Sequence, residues 1–478
     1  MRRNWPWVVI IAAYLAVGTL YAIHTPAWQV PDEPAHYNYI RSLAEGRGIP
    51  VMEPQDYDQS YIEQLTAERF PPDLPITPLT YEDHQPPLYY LLATPFFRLC
   101  AGDLLPLRLF SVALGAVVVA MTLAIAQEVF PQRPGLVWLA GGLVAFLPQH
   151  TAMMAGVNND ALTEALLGLW LWLALRYLRG AAHPAVLSVV LGALLLTKTT
   201  GYVALPLTLL AAGLRWRRGG FSWKQTLRQL AWLCAPGLLL GGLWWGRNIA
   251  LYGWPDFLGL LRHNAVVVNQ PRTVEWIARE GLWPFLAGAL RTTFRSFWGQ
   301  FGWMGVVLDA RIYLGLGWLS ALMVWGACWQ LSESLHRGLA PRHRDALTLL
   351  GAAALITTAL YAGYNLTFVQ HQGRYLFPAL PALALAGAVG LQRLAEKRLA
   401  VVTALLLAVV IVTIGGVGLL RGDLPLWSLA LTGAAAVALL VSGLLPRRFA
   451  PALAGLLLAG LLALDVWCLF GFIVPLLA

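Results

Sequence analysis

Apolar runs of about 20 residues recur along the whole chain, broken by short stretches rich in arginine, proline or glycine. Each such run is long enough to cross a bilayer as a helix. The pattern predicts spans near 7–24, 107–128, 135–153, 160–178, 185–200, 202–214, 229–246, 311–331, 345–364, 376–392, 399–419, 426–444 and 451–475, about 13 in all. The fold class expected is therefore an all-α polytopic membrane protein. Its first run, Trp7 to Ile23, is read as a retained helix, because no small-x-small cleavage site follows it.

Two long polar segments interrupt the pattern. The first loop, about 25–106, is acidic and proline-rich. The second, about 247–310, holds Arg247, Arg262, Arg272, Arg279, Arg291 and Arg295, with Arg311 at its edge. Within the first, Pro86 to Leu99 is apolar but only about 14 residues long, short for a crossing, and reads as an interfacial or re-entrant helix. That choice sets the parity. With it, Gln132-Arg133, Arg176 to Arg179, Arg215 to Arg218, Arg337 to Arg344, Arg393 to Arg398 and Arg447-Arg448 all fall on the side of the N-terminus, as basic loops on the cytoplasmic side should. The N-terminus is then cytoplasmic, the C-terminus extracytoplasmic, and both long loops lie outside. Residues 1–395 form the expected functional module and 396–478 a scaffold.

Composition agrees. The 478 residues are 58% hydrophobic and 12% charged, about half the charge of a soluble domain. A net charge of +9 points in a soluble protein to nucleic acid; here the arginines sit in loops between spans, and no nucleic-acid partner is expected. Cys100, Cys234, Cys328 and Cys468 are scattered, without metal-binding spacing, and read as packing residues.

Candidate chemistry collects in the two outer loops and the span ends beside them. Asp32 and Glu33 follow the first span, and Pro34 marks a helix start, so one of the two carboxylates is the expected N-cap. Ionised and preoriented there, it suits a general base, with His36 one turn on to orient it; plain capping is the alternative. Glu82, Asp83 and His84 precede the helix that begins Pro86-Pro87-Leu88-Tyr89-Tyr90. They are a candidate cation site, with Glu82 and His84 as ligands, and the tyrosines a candidate interfacial anchor. Asn158-Asn159-Asp160 either caps the next span or joins the site. Lys198 is a rare lysine away from the basic side, suited to a phosphate. Gln370-His371-Gln372-Gly373-Arg374-Tyr375 opens a late span, with Arg374 able to fork onto phosphate. The outer arginines, Arg247 among them, either meet an anionic ligand or snorkel from interfacial helices.

Taken in order, these motifs resemble the GT-C superfamily of membrane glycosyltransferases, in its branch of protein O-mannosyltransferases and lipid A aminoarabinose transferases. Asp32-Glu33 matches that branch's acidic pair, and His84 to Tyr90 its Pro-Pro-Leu-Tyr segment. Thr197-Lys198-Thr199 is similar to its Thr-Lys-Gly motif, with glycine displaced to 201, and Arg374 to Pro378 to its Arg-Tyr-Leu-x-Pro. The likeness covers roughly 1–395. It departs where Asp-Glu-x-x-Tyr reads Asp-Glu-Pro-Ala-His, and where Glu82, Asp83 and His84 compete for one acidic position.

The resemblance implies a bacterial inner-membrane enzyme whose donor is a sugar on a polyprenyl phosphate. The acceptor would be a hydroxyl of a lipid, protein or glycan. Asp32 and Glu33 would be catalytic, with Lys198, Arg374, Tyr375 and Arg247 on the donor phosphate. His36, His84, Asn159, Asp160 and His371 would support them, and a divalent metal is the candidate cofactor. A transporter or flippase of lipid-linked saccharides, a polymerase or ligase, and a non-catalytic scaffold are the rival readings.

Overall fold

A computed structural model describes residues 5–219 and 222–478. The basic start Met1-Arg2-Arg3 lies outside the described residues.

The first span is α1 (Trp5–His24). The first loop carries three short helices, α2 (Glu33–Ala44), α3 (Gln59–Ala67) and α4 (Leu88–Leu99). α4 is amphipathic: Tyr89 and Tyr90 are fully buried, while Leu91, Leu92, Phe96 and Leu99 face outward. The tyrosines expected as an anchor turn inward, and the leucines and Phe96 take the outward face.

The bundle continues with α5 (Leu104–Val129), α6 (Pro134–Ala145), α7 (Pro148–Met154) and α8 (Asp160–Leu178). α6 and α7 are bent by 60° to each other, with Pro148 opening the second piece. Proline cannot donate to the preceding turn, which places the break there. Next come α9 (Pro184–Leu195), α10 (Ala204–Gly219) and α11 (Trp223–Tyr252). The second loop holds α12 (Leu260–Val266), α13 (Thr273–Glu280), α14 (Leu282–Trp298) and a two-stranded antiparallel hairpin. Its strands are β1 (Gln300–Phe301) and β2 (Val306–Val307), with Gln300 opposite Val307.

The late helices are α15 (Ala310–Arg337), α16 (Pro341–Thr367) and α17 (Leu380–Leu394), the last preceded by a 3-10 turn over Gly373–Ala379. α18 (Lys397–Arg421), α19 (Leu426–Leu444), α20 (Ala450–Cys468) and α21 (Val474–Leu477) complete the chain.

Every expected span coincides with a helix or a bent pair, but the count of 13 is not reached by length and apolarity. Among the described residues nine helices are long and apolar enough to cross a membrane, or ten with the bent pair. α9, α10 and α11 fall short of that test.

α15 and α17 cross at unusually short range. A Cβ on Gly326 would lie 2.2 Å from the Gly390 carbonyl oxygen, and one on Gly390 would lie 2.1 Å from that of Met323. Small residues at a crossing let backbones approach and gain dispersion where lipid gives no hydrophobic drive. In the last segment, α18 and α19 pack on each other, while α20 lies against α6 and α7. Asp465 of α20 is buried there and accepts a hydrogen bond from Thr151 Oγ1 at 2.8 Å. The C-terminal helices therefore include one that is built into the first half of the bundle.

The basic loops meet at one end. Arg179 pairs with Glu128, Arg218 with Asp345, and Arg393 and Arg337 both with Glu333. The acidic first loop and the starts of α5 and α8 lie at the other end.

Candidate functional site

Asp32 and Glu33, adjacent in sequence, point to different places. Asp32 sits in the left-handed backbone region (φ 68°) immediately before α2, and Glu33 is the first helical residue, followed by Pro34. Asp tolerates this conformation because its short polar chain finds local partners. The Asp32 side chain makes no capping bond to the helix. Asp32 is thus the N-cap by position, its carbonyl accepting the His36 N–H at 3.1 Å, while its side chain is turned to other partners.

Glu33 turns into the bundle and is completely buried. Arg108 forks onto it, with Nε to Oε1 at 2.8 Å and Nη2 to Oε2 at 2.6 Å. The backbone N–H groups of Val157 and Trp28 donate to the same two oxygens, each at 3.1 Å. Arg108 in turn donates to the carbonyls of Ala22, Thr25 and Pro26. Both charges are fully dressed, and the pair ties α1, α2, α5 and the turn before α8 together. Nothing is left on Glu33 to receive a proton from a substrate.

Asp32 is 22% exposed. Its Oδ2 takes a hydrogen bond from Arg374 Nη2 at 2.7 Å, and its Oδ1 one from Tyr81 Oη at 3.1 Å. Burial pushes this carboxyl up, but the Arg374 guanidinium and other positive charge more than offset it, and the net shift is downward. Asp32 is ionised at neutral pH.

Arg374 is held from behind. Ser296 Oγ accepts the Gly373 N–H at 2.7 Å, and a Cβ on Gly373 would lie 2.3 Å from the Thr293 carbonyl oxygen. Only glycine permits that approach to α14. The Arg374 guanidinium also reaches Met153 Sδ at 3.9 Å, and its Nε is buried without a partner among the described residues. Tyr375 lies beside it, the guanidinium carbon 5.3 Å from the ring centre.

A second ion pair stands nearby: Lys198 Nζ to Asp160 Oδ1, 2.8 Å, with the side chains 14% and 20% exposed. Lys198 lies in the turn after α9, and Asp160 begins α8. Each of these charges acts on the first pair; Asp32 feels Lys198, and Arg374 feels Asp160. The hub behind them is Tyr90. Its hydroxyl meets His36 Nδ1 at 2.9 Å and accepts from Asn159 Nδ2 at 3.2 Å. Leu88 N–H donates to the Leu196 carbonyl, so the Pro-Pro-Leu-Tyr-Tyr segment is laced to the lysine turn. Burial, then the Lys198 charge, push His36 down to about 3. It stays neutral and contributes a hydrogen bond, not a charge.

Glu82 faces the same group. Burial, then the Asp32 charge, raise it to about 7, and its Oε2 has no partner among the described residues. His84 is occupied: Nδ1 meets the Tyr81 carbonyl at 3.1 Å, Nε2 meets Gln85 at 3.1 Å, and its ring lies 4.2 Å from His263. Among the described residues no three His, Cys, Asp or Glu side chains are grouped to hold a metal. The nearby carboxylates Asp32 and Asp160 are taken by Arg374 and Lys198. The residues present do not fit the Glu82–His84 cation site expected.

Two expected site residues lie off this cluster. Arg247 donates to the Ile49 and Pro50 carbonyls and stacks on Trp244, fastening the first loop to α11. His371 bonds Asn365 Oδ1 at 2.9 Å and packs on Phe285. Four more arginines of this loop and its edge are used in the same way as Arg247. Arg262 caps the Met52 carbonyl, Arg272 stacks on Phe368, Arg295 on Tyr313, and Arg311 on Trp427.

Sequence reasoning missed Tyr81 and Arg108. A lone arginine inside an apolar span was the signal for the second. It also missed the buried pair His150 Nε2–Glu164 Oε2 at 3.2 Å. Glu164 is one turn below Asp160 on α8, so the pair forms part of the floor beneath the site.

No family model and no curated protein matches the sequence. Among solved structures the chain is similar to ArnT from Cupriavidus metallidurans bound to undecaprenyl phosphate. Identity is 16% over 98% of this chain and 77% of that one, with a TM-score of 0.56. The apo state of the same protein gives 15% identity, 97% and 76% coverage and a TM-score of 0.55. The Archaeoglobus fulgidus oligosaccharyltransferase in complex with Zn and sulfate is a weaker likeness. It shows 15% identity over 89% of this chain and 53% of that one, with a TM-score of 0.44. With ArnT, at 15–16% identity, it is the fold alone that is shared.

Proposed function

We propose that this chain, which has the GT-C membrane-glycosyltransferase fold, transfers a glycosyl group from a polyprenyl-phosphate-linked donor to an acceptor hydroxyl. The reaction takes place at the end of the bundle that carries the acidic loop, the extracytoplasmic face of a bacterial inner membrane. The observation that carries the reading is the convergence of Asp32, Arg374, Lys198 and Asp160. Four separate segments bring two carboxylates and two cations to one partly exposed rim. The solved ArnT bound to undecaprenyl phosphate, similar in fold, supports a donor of that class.

The chemistry follows from the charges. A phosphate leaving group needs its developing charge stabilised more than it needs an acid. Arg374, Lys198 and the Tyr375 hydroxyl serve that end. Asp32 takes the proton of the acceptor hydroxyl; the oxygen attacks the anomeric carbon as the bond to phosphate oxygen breaks, with inversion. In the absence of donor each cation is held by a carboxylate. A donor phosphate competes with Asp32 for Arg374, and as that hold loosens Asp32 becomes a stronger base. The base is thus released by the donor it will act beside. Glu33 and Arg108 act as a brace, and Arg247 and His371 fix loops.

A second assignment of the base is favoured by one observation. Glu82, at about 7, is nearer the working pH, and its Oε2 is unpartnered among the described residues. Transfer rates from polyprenyl-phosphate sugars across pH separate the two. An acid limb confined to the low end of the carboxylate range, lost in Asp32→Asn, supports Asp32; a limb near 7, lost in Glu82→Gln, transfers the role to Glu82.

A further inference from the structure

His36 stands one turn after Asp32, and its backbone N–H donates to the Asp32 carbonyl at 3.1 Å. The residue is 1% exposed, and the charges of Lys198, Asp32, Asp160 and Arg374 all bear on its ring. The imidazole is thus within reach of both ion pairs. Its tautomer is fixed from behind. Asn159 Nδ2 lies 3.2 Å from Tyr90 Oη and 3.5 Å from the Thr197 carbonyl oxygen. A carbonyl can only accept, so the amide nitrogen faces both and donates to Tyr90. Tyr90 is fully buried, and among the described residues the acceptor for its own O–H is His36 Nδ1, at 2.9 Å. The hydrogen bonds therefore run from Asn159 to Tyr90 to His36. Nδ1 accepts, and in a neutral imidazole the proton then sits on Nε2. The Tyr90 ring is itself stacked on Tyr39 at 3.7 Å, which limits how far the hydroxyl can swing.

Nε2 has no hydrogen-bond partner among the described residues and, unlike His150 Nδ1, is not sealed from solvent. Asp32 and Asp160 are already held by Arg374 and Lys198, and those two cations cannot accept. An N–H at this place is matched by an oxygen that arrives with a ligand. We propose that His36 Nε2–H donates to a phosphate oxygen of the polyprenyl-phosphate sugar, as a third contact beside Arg374 and Lys198. This rests on the transfer reading above and adds a substrate contact to it. A neutral group suits the position. An imidazolium would pair with Asp32 and take the base out of use, whereas a neutral N–H stabilises the departing phosphate and leaves Asp32 alone. Burial and the Lys198 charge keep the ring neutral.

The two ring nitrogens can be imitated separately: an Asn amide reaches the place of Nδ1, a Gln amide that of Nε2. Affinity for undecaprenyl phosphate is measured by isothermal titration in detergent, and transfer from a polyprenyl-phosphate sugar in single turnovers. His36→Gln should stay within about threefold of wild type in both, and His36→Asn should bind about 10-fold more weakly, the worth of a hydrogen bond to a charged group. If His36 merely props Tyr90, the order of the two variants reverses and the proposal is overturned. Equal binding by wild type and both variants overturns it as well, with the transfer reading intact. No binding and no transfer by wild type removes both together. Nitrogen NMR spectra of isotope-labelled wild type in bilayers need no variant. At neutral pH His36 should show a protonated Nε2 and a bare Nδ1, and the Nε2 signal should move when undecaprenyl phosphate is added. A protonated Nδ1, or an Nε2 signal indifferent to the lipid phosphate, overturns the proposal even if His36→Asn fails to fold.

Discussion

Arg108→Met should unfold this protein more readily than any surface change at the same end of the bundle. The substitution leaves the Glu33 carboxylate, fully buried, with two backbone N–H donors and no cation. Breaking a buried pair from one side costs about 3–5 kcal/mol, because the remaining charge is uncompensated. Glu33→Gln should cost less. Arg108 keeps three carbonyl acceptors, at 2.6 to 3.1 Å, and an amide oxygen can still receive Nε or Nη2. The double variant, with both charges gone, should cost less than the sum, by a coupling of about 2 kcal/mol. Reversible unfolding by sodium dodecyl sulfate in mixed micelles measures all three against wild type. Strict additivity would refute the view that Glu33 and Arg108 stabilise the fold as a unit. So would an Arg108→Met protein as stable as wild type.

Other outcomes follow from the same structure. Arg374→Gln and Lys198→Gln should each weaken binding of a polyprenyl-phosphate sugar about 10- to 100-fold, the worth of a charged hydrogen bond, as read by isothermal titration in detergent. Asp83 is raised to about 8, chiefly by burial and next by Asp56. The folded state therefore binds a proton that the unfolded chain releases near 4, so stability should fall as pH rises from about 4 to about 8 and then level off. Asp83→Asn should flatten that slope in denaturant midpoints. Asp32 has the opposite sign: its lowered folded-state value gives stability that is present above the unfolded value and lost in acid. Gly390→Leu should separate α15 from α17 and abolish recovery of folded protein by size-exclusion chromatography, whereas Gly351→Leu, whose added Cβ meets nothing within 4 Å, should not.

Nine or ten of the spans among the described residues were legible because length and apolarity specify them, whereas α9, α10 and α11 fall short of that test; the acidic pair after α1 was legible as a costly feature at a membrane edge. The division of labour inside that pair was not. It depends on Arg108, 75 residues away in sequence, and on a left-handed residue that turns neighbouring carboxylates apart. Tyr90 shows the same limit. Its place in an apolar helix suggests an anchor, yet its hydroxyl is the post on which His36 and Asn159 hang. The second-loop arginines were ambiguous for a different reason. A guanidinium that caps a carbonyl or stacks on a ring leaves no mark in sequence to distinguish it from one that waits for phosphate. Arg374 and Lys198 differ from them in having carboxylate partners brought from far along the chain.

The most direct test is single-turnover transfer from a polyprenyl-phosphate sugar by Asp32→Asn protein that binds the donor as wild type does. Loss of about 10²- to 10⁴-fold in rate, with wild-type product inverted at the anomeric carbon, is the predicted result. Transfer by the variant at the wild-type rate, or a product that retains configuration, would contradict it.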